Sequence, residues 1–174
     1  MNFCKKSFVC ASIFFSIFLF LGCKSEKIVI EETPPMSERT IEKFTITQTE
    51  DGKLKMMLEA DSAIVDEDGN SAHLKLPIVK FYDKGNYVST LITESADINL
   101  ETYDVKGIGK CVIDAANNGH LQTTDLTYNA KKNLIYSDNN VKIKKRGQTI
   151  YGTRFDADTK LETVTIKNQR MVLD

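Results

Sequence analysis

Side chains able to do chemistry are few in this chain and scattered along it. Cys4, Cys10, Cys23 and Cys111 are the thiols, and His73 and His120 the imidazoles. Zinc centres need closely spaced nitrogen and sulfur ligands. His73, Cys111 and His120 offer no such spacing. The string "DEDGN" at residues 66–70 begins like a calcium loop but lacks the later ligands, so it reads as a hairpin turn. No nucleophile–base constellation and no convincing pair of carboxylates is visible. The expectation is a protein that is not an enzyme and needs no cofactor or metal.

One cysteine does stand in a chemical context. Lys5 and Lys6 precede an apolar run of 15 residues, "SFVCASIFFSIFLFL", with Gly22 and Cys23 directly after it. A spanning helix needs roughly 20 apolar residues, so this run suits an export signal. The ending "LFLGC" resembles the lipobox of bacterial lipoproteins, where a small residue precedes a cysteine that takes diacylglycerol and becomes the mature N-terminus. Gly22 and Cys23 fit, while Phe20 departs from the usual leucine. The alternatives are an uncleaved anchor helix and a generic signal peptide with Cys23 incidental, and all of them place the chain outside the cytoplasm. Several acyl chains, at roughly 0.8 kcal/mol per buried CH₂, make a durable anchor.

Cleavage before Cys23 would leave Cys111 as the only other thiol, so the mature domain has no internal disulfide. Loss of Lys5 and Lys6 leaves 21 Lys and Arg against 24 Asp and Glu, a net charge of −3. That balance argues against nucleic acid as a partner.

These residues must be positioned by strands. Residues 1–22 form the signal or anchor, and residues 23–40 a polar tether stiffened by Pro34 and Pro35. Within the tether, Ile28 to Ile30 could also form an early strand. From 41 to 174 short runs of alternating polarity are separated by "EDGK", "EDGN" and "DKGN", all rich in turn residues. No stretch has helical periodicity, so the domain is expected to be all-β.

A repeat organises the strands. "LEADSA" starts at Leu58, "LITESA" at Leu91, "LQTTDL" at Leu121 and "IYGTRF" at Ile150, with spacings of 33, 30 and 29. In the third copy Leu121 and Thr123 share a face, and Leu126 and Tyr128 resume it after one extra residue. That pattern predicts a bulge. Ile135, Ser137, Val141 and Ile143 return along the next strand. Each unit of about thirty residues has one apolar and one wet face. It can bury the apolar face only against a second layer about 10 Å away.

Repeated L-x-[A/T/G]-x-x-[L/A/F] strings followed by "Y-N/D" and "V-x-I" resemble the OstA-like domains of lipopolysaccharide transport. The order of anchor, tether and single domain, with "LPIVKFYDKGN" and "NVKIKKRGQTIYGTRFDAD", is similar to the LptC family of the lipopolysaccharide export ABC transporter. The resemblance covers residues 41–167; the LptA-like bridge proteins share most of its motifs. A lipobox departs from the family's usual uncleaved helix. The resemblance implies an open V-shaped antiparallel β-jellyroll on the periplasmic side of the inner membrane. Such a domain would accept lipopolysaccharide from the transporter's permease β-domains and pass it to an LptA-like bridge protein.

The candidate groove lining is Phe44, Ile46, Met56, Leu58, Leu76, Val79, Phe81, Leu91, Ile98, Val105, Ile113, Leu121, Leu126, Ile135, Val141, Ile143, Ile150 and Phe155. Each of these is also an ordinary core residue of a sandwich. Residues 41–49 are the expected edge toward the transporter and 161–166 the edge toward the bridge. Gly152 falls where the family has a glycine associated with assembly; physically, a strand glycine marks a bulge or a close backbone approach. "KIKKRG" at 142–147 reads mainly as a solvated face, with lipopolysaccharide phosphates as the alternative contact. Two other functions fit the residues: a β-jellyroll scaffold lipoprotein that joins β-domains without lipid, and a soluble LptA-like bridge.

Overall fold

The computed structural model describes residues 39–173, which form strands, turns and short loops. The ten strands are β1 (Arg39–Glu50), β2 (Lys53–Val65), β3 (Ser71–Lys75), β4 (Ile78–Asp83), β5 (Asn86–Asn99), β6 (Val105–Ala115), β7 (His120–Asn129), β8 (Leu134–Lys145), β9 (Gln148–Asp158) and β10 (Val164–Leu173). Neighbours pair antiparallel in the order β1-β2-β3-β5-β6-β7-β8-β9-β10, and β4 also pairs β2 and β5. Thus β3 and β4 share one place in the sheet, each spanning half its length. The expected turns at 51–52, 66–70 and 84–85 all join strands.

Two facing sheets were expected, and the structure makes its two layers from one sheet. The long strands break register near their middles: β5 between Thr93 and Ser95, β6 between Gly107 and Lys110, β7 between Thr123 and Thr127, β8 between Ser137 and Asn140. Strand β10 does the same between Ile166 and Arg170. Extra residues at these points take left-handed backbone: Gly109 (φ 79), Asp125 (φ 52), Arg154 (φ 55) and Asn168 (φ 50). Bulges bend strands and raise their twist. Aligned across neighbours, they crease the whole sheet along one line. The bulge predicted between Thr123 and Leu126 is part of this crease.

Polar groups freed at the crease find partners. The Thr93 hydroxyl donates to the Ile108 carbonyl at 2.9 Å, and Thr123 donates to the Asn140 carbonyl at 2.8 Å. The Gly109 amide donates to Asp125 Oδ1 at 2.7 Å. Such bonds matter because an unsatisfied buried donor or acceptor costs about 1–3 kcal/mol. The repeated string is therefore a crease signature: its first leucine lies in one layer, its middle threonine or glycine at the bend, and its last apolar residue in the other layer.

Candidate functional site

Cross-strand register assembles the inner surface. In the first layer one row runs Ile46, Leu58, Val79, Leu91, Ile113, Leu121, Ile143, Ile150 and Met171, drawing on every strand except β3. In the second layer a row runs Val65, Ala72, Ile98, Val105, Tyr128, Ile135, Ala157 and Val164. Period-two alternation puts these residues on one face and the charged ones on the other.

Most of the candidate lining lies in the buried interior. Met56, Leu58, Val79, Phe81, Leu91, Ile98, Val105, Ile113, Leu121, Leu126, Ile135, Val141, Ile143 and Phe155 are buried, while Phe44 and Ile46 are half-buried against them. Ile150 is half-buried beside Ile143. Leu76 is the exception. It is 51% exposed at φ 50, because the break between β3 and β4 turns it outward and buries Pro77 in its place. The layers touch: the Phe81 and Tyr128 rings lie 4.7 Å apart, tilted by 55°. Burial raises the Tyr128 phenol well above its ordinary pKa, helped by the Asp104 and Glu50 carboxylates. The phenol therefore stays neutral, and its O–H points at Asn133 Oδ1, 3.4 Å away.

Opposite the crease the turns of both layers meet in a rim, which the sequence did not reveal. Part of it is a polar cleft of about 570 Å³ lined by Glu50, Lys53, Lys55, Tyr82, Lys84, Lys131 and Asn133, among others. Beside the cleft lies the loop at residues 159–163, which contacts Asp83 and Asn133 of its lining. Leu161 in that loop is fully buried and has joined the core. Ser89 and Lys145 donate to the Thr159 and Leu161 carbonyls. Asn117 Nδ2 donates to the Lys160 carbonyl at 2.9 Å, and Lys160 Nζ pairs with Asp83 at 2.8 Å. Asn133 Nδ2 donates to Thr159 Oγ1 at 3.2 Å. Leu161 was expected on an edge toward a partner; it lies instead in the turn before the edge strand, which starts at Val164. Its only sequence signal is a lone leucine between polar residues.

Gly152 sits opposite Val141 on the inner side of β9. A Cβ there would run into Ile166 Cγ2 and come within 2.8 Å of the Lys167 carbonyl. The close approach expected of a strand glycine is thus to the chain's own β10. Outward, Lys142, Tyr151 and Arg170 form one cross-strand row; both cations lie over the Tyr151 ring, at 5.7 Å and 5.8 Å. Cys111 is buried at the crease, 3.4 Å from the Thr93 hydroxyl, and burial pushes its thiol pKa up, so it is a packing residue. Cys23 and the rest of residues 1–38 lie outside the described residues. Among the described residues no helix is long and apolar enough to cross a membrane.

Comparison with known proteins adds to this geometry. No curated protein matches the sequence. Among solved structures the chain is similar to LptH of Pseudomonas aeruginosa, described as the LptA-homologous periplasmic component of the lipopolysaccharide transport device. The match has a TM-score of 0.52 at 16% identity and covers 68% of this chain and 94% of that one. At that identity it speaks to the fold, an LptA-like β-jellyroll. The family model described as "Lipopolysaccharide-assembly, LptC-related" matches residues 8–173. An all-β domain creased around a continuous apolar interior agrees with that match over nearly the whole sequence, and the chain belongs to the LptC family of lipopolysaccharide transport.

Proposed function

We propose that the chain is the membrane-anchored periplasmic subunit of a lipopolysaccharide transporter. It accepts the lipid between its two layers from the inner-membrane ABC transporter and passes it to an LptA-like bridge protein. One observation carries this reading: the apolar row that crosses nine strands without interruption. A lipid A chain of about a dozen CH₂ groups exposes roughly 10 kcal/mol of unfavourable surface in water. A long non-directional apolar strip offsets that cost and has no specific polar grip that would prevent release. The polar rim cleft holds charges of both signs, Lys53, Lys55, Lys84 and Lys131 beside Glu50, Asp51 and Asp83. Edge strands β1 and β10 supply backbone for strand addition, β1 toward the permease β-domains and β10 toward the bridge. Cys23 carries the lipid anchor, or an uncleaved helix replaces it, which holds the domain at the inner membrane.

Site-specific photo-crosslinking in the full chain, in membranes, tests the reading. Crosslinkers at Leu91, Leu126 and Phe155 are expected to capture lipopolysaccharide strongly, and one at outward Lys142 weakly. Equal capture at all four positions would discard the carrier role. A second reading is supported by the burial of most of the lining. In it, the jellyroll is a scaffold that extends other β-domains and never admits lipid. That reading expects partner capture at β1 or β10 and no lipid at any inner position.

A further inference from the structure

A buried lining and a lipid carrier are reconcilable only if the layers part somewhere. The crease is continuous backbone, so parting there would tear every long strand. The rim is made of turns. We infer that the loop at residues 159–163 is a clasp that shuts the rim, and that Leu161 occupies the place taken by the end of an acyl chain. This rests on the carrier reading and adds to it the route of entry and a resident stand-in for the ligand.

The contacts make the case. The loop belongs to the second layer, between β9 and β10, yet Ser89, Asn117, Lys145 and Asp83, which hold it, all belong to strands or turns of the first. Leu161 reaches across and lies under Gly119, where an added Cβ would stand only 3.4 Å from its side chain. Leu161 itself has a left-handed backbone, φ 54, a conformation costly for a branched residue and tolerated where surroundings fix it. Inside the loop the Asp158 carboxylate accepts from the Lys160, Glu162 and Thr163 amides at 2.8–3.0 Å. The loop can thus keep its shape while it swings as a unit. Its grip on the first layer is one buried hydrogen bond, from Ser89 to the Thr159 carbonyl, the more exposed contacts of Asn117, Lys145 and Asp83, and one leucine. An incoming hydrocarbon chain would replace that leucine with chemistry of the same kind.

The test locks the clasp in the full chain, in membranes. Asn117→Cys and Lys160→Cys are joined by a short bis-maleimide, with the single-cysteine variants treated alike as controls. Lipopolysaccharide capture by a photo-crosslinker at Phe155 is expected to fall about tenfold on locking, since the competent state is depopulated. In the unlocked Leu161→Ala variant capture is expected to rise. Capture that is equal in locked and unlocked protein would overturn the clasp and leave the carrier role standing. Hydrogen exchange provides an arm without ligand. Amides at 159–163 are expected to exchange faster than those of β7, and to slow when locked. Loop amides that exchange no faster than β7 would also overturn the clasp. A loop that opens in exchange, in a protein that captures lipid in no variant, would instead end the carrier reading.

Discussion

The crease and the rim bound the same apolar interior from opposite sides, and they are built by opposite means. At the crease each strand continues through a bulge, and freed backbone groups are satisfied from the neighbouring strand, as Thr93 and Thr123 do for the Ile108 and Asn140 carbonyls, 15 and 17 residues away. At the rim contacts join residues far apart in the chain: Ser89 with Thr159, Asn117 with Lys160, Asp83 with Lys160. A crease that continuous, paired strands run through cannot open without loss of the sheet. A rim made of long-range contacts between turns can, because few buried apolar groups depend on it. Low-stability openings belong in such places.

Two fully buried leucines give the largest expected difference. Leu121 is central in the inner row of the first layer, and Leu161 lies in the rim loop. The cost of Leu→Ala depends on how well the site can collapse around the lost atoms. Leu121→Ala, enclosed by Ile113 and Ile143, is expected to cost about 4 kcal/mol. Leu161→Ala, in a short loop free to settle, is expected to cost about 2 kcal/mol. Urea denaturation of both variants measures this. Equal losses would mean that the rim is as integral to folding as the crease, and the contrast would fail.

Gly152 sharpens the same contrast at the edge of the sheet. Its missing side chain lets β10 cross at the crease, with Ile166 and Lys167 against it. Gly152→Ala must push that strand away, and overpacking of this kind costs about 1–3 kcal/mol. Faster exchange is expected in β10 than in β6 or β7. If β6 and β7 loosened equally, the strain would be spreading through the core rather than staying at the edge.

Crease and rim also differ in how far they could be read beforehand. Alternation plus the thirty-residue repeat held the crease, because its determinants are local: a leucine, a small or hydroxyl residue, an extra residue, then another apolar residue. From Leu121, Thr123 and Leu126 the bulge itself could be placed. Leu76 misled because alternation assumes unbroken strand, and Pro77 follows it; the chain turns there and the proline moves inward. Rim contacts left no periodic trace. Nothing in "DTKLET" indicates that Leu161 crosses to Gly119, since that depends on where the crease brings two turns together. Gly152 could be flagged as a close approach, but its neighbour β10 emerged only from the register.

The smallest expected effect concerns the ion pair of the rim. The hydrogen bond from Lys160, with burial opposing it, holds the Asp83 carboxyl below its ordinary value of 3.8, and the Asp83 bond in turn raises Lys160 above 10.5. A depressed carboxyl contributes to the closed rim above its ordinary value and is lost as pH falls through the folded one. A raised ammonium contributes below its ordinary value and is lost as pH rises through the folded one. The pair therefore holds across neutral pH and lets go at both extremes, and the acid side is the accessible one. Both groups face water, so the change in global stability is small. It should appear locally, as a loop whose NMR signals broaden or shift below about pH 4 while those of β6 and β7 stay constant. Asp83→Asn should abolish that acid response without changing the core signals. If the response persisted in Asp83→Asn, another carboxylate would be governing the rim, and Asp158, which organises the loop from within, would be the next to replace.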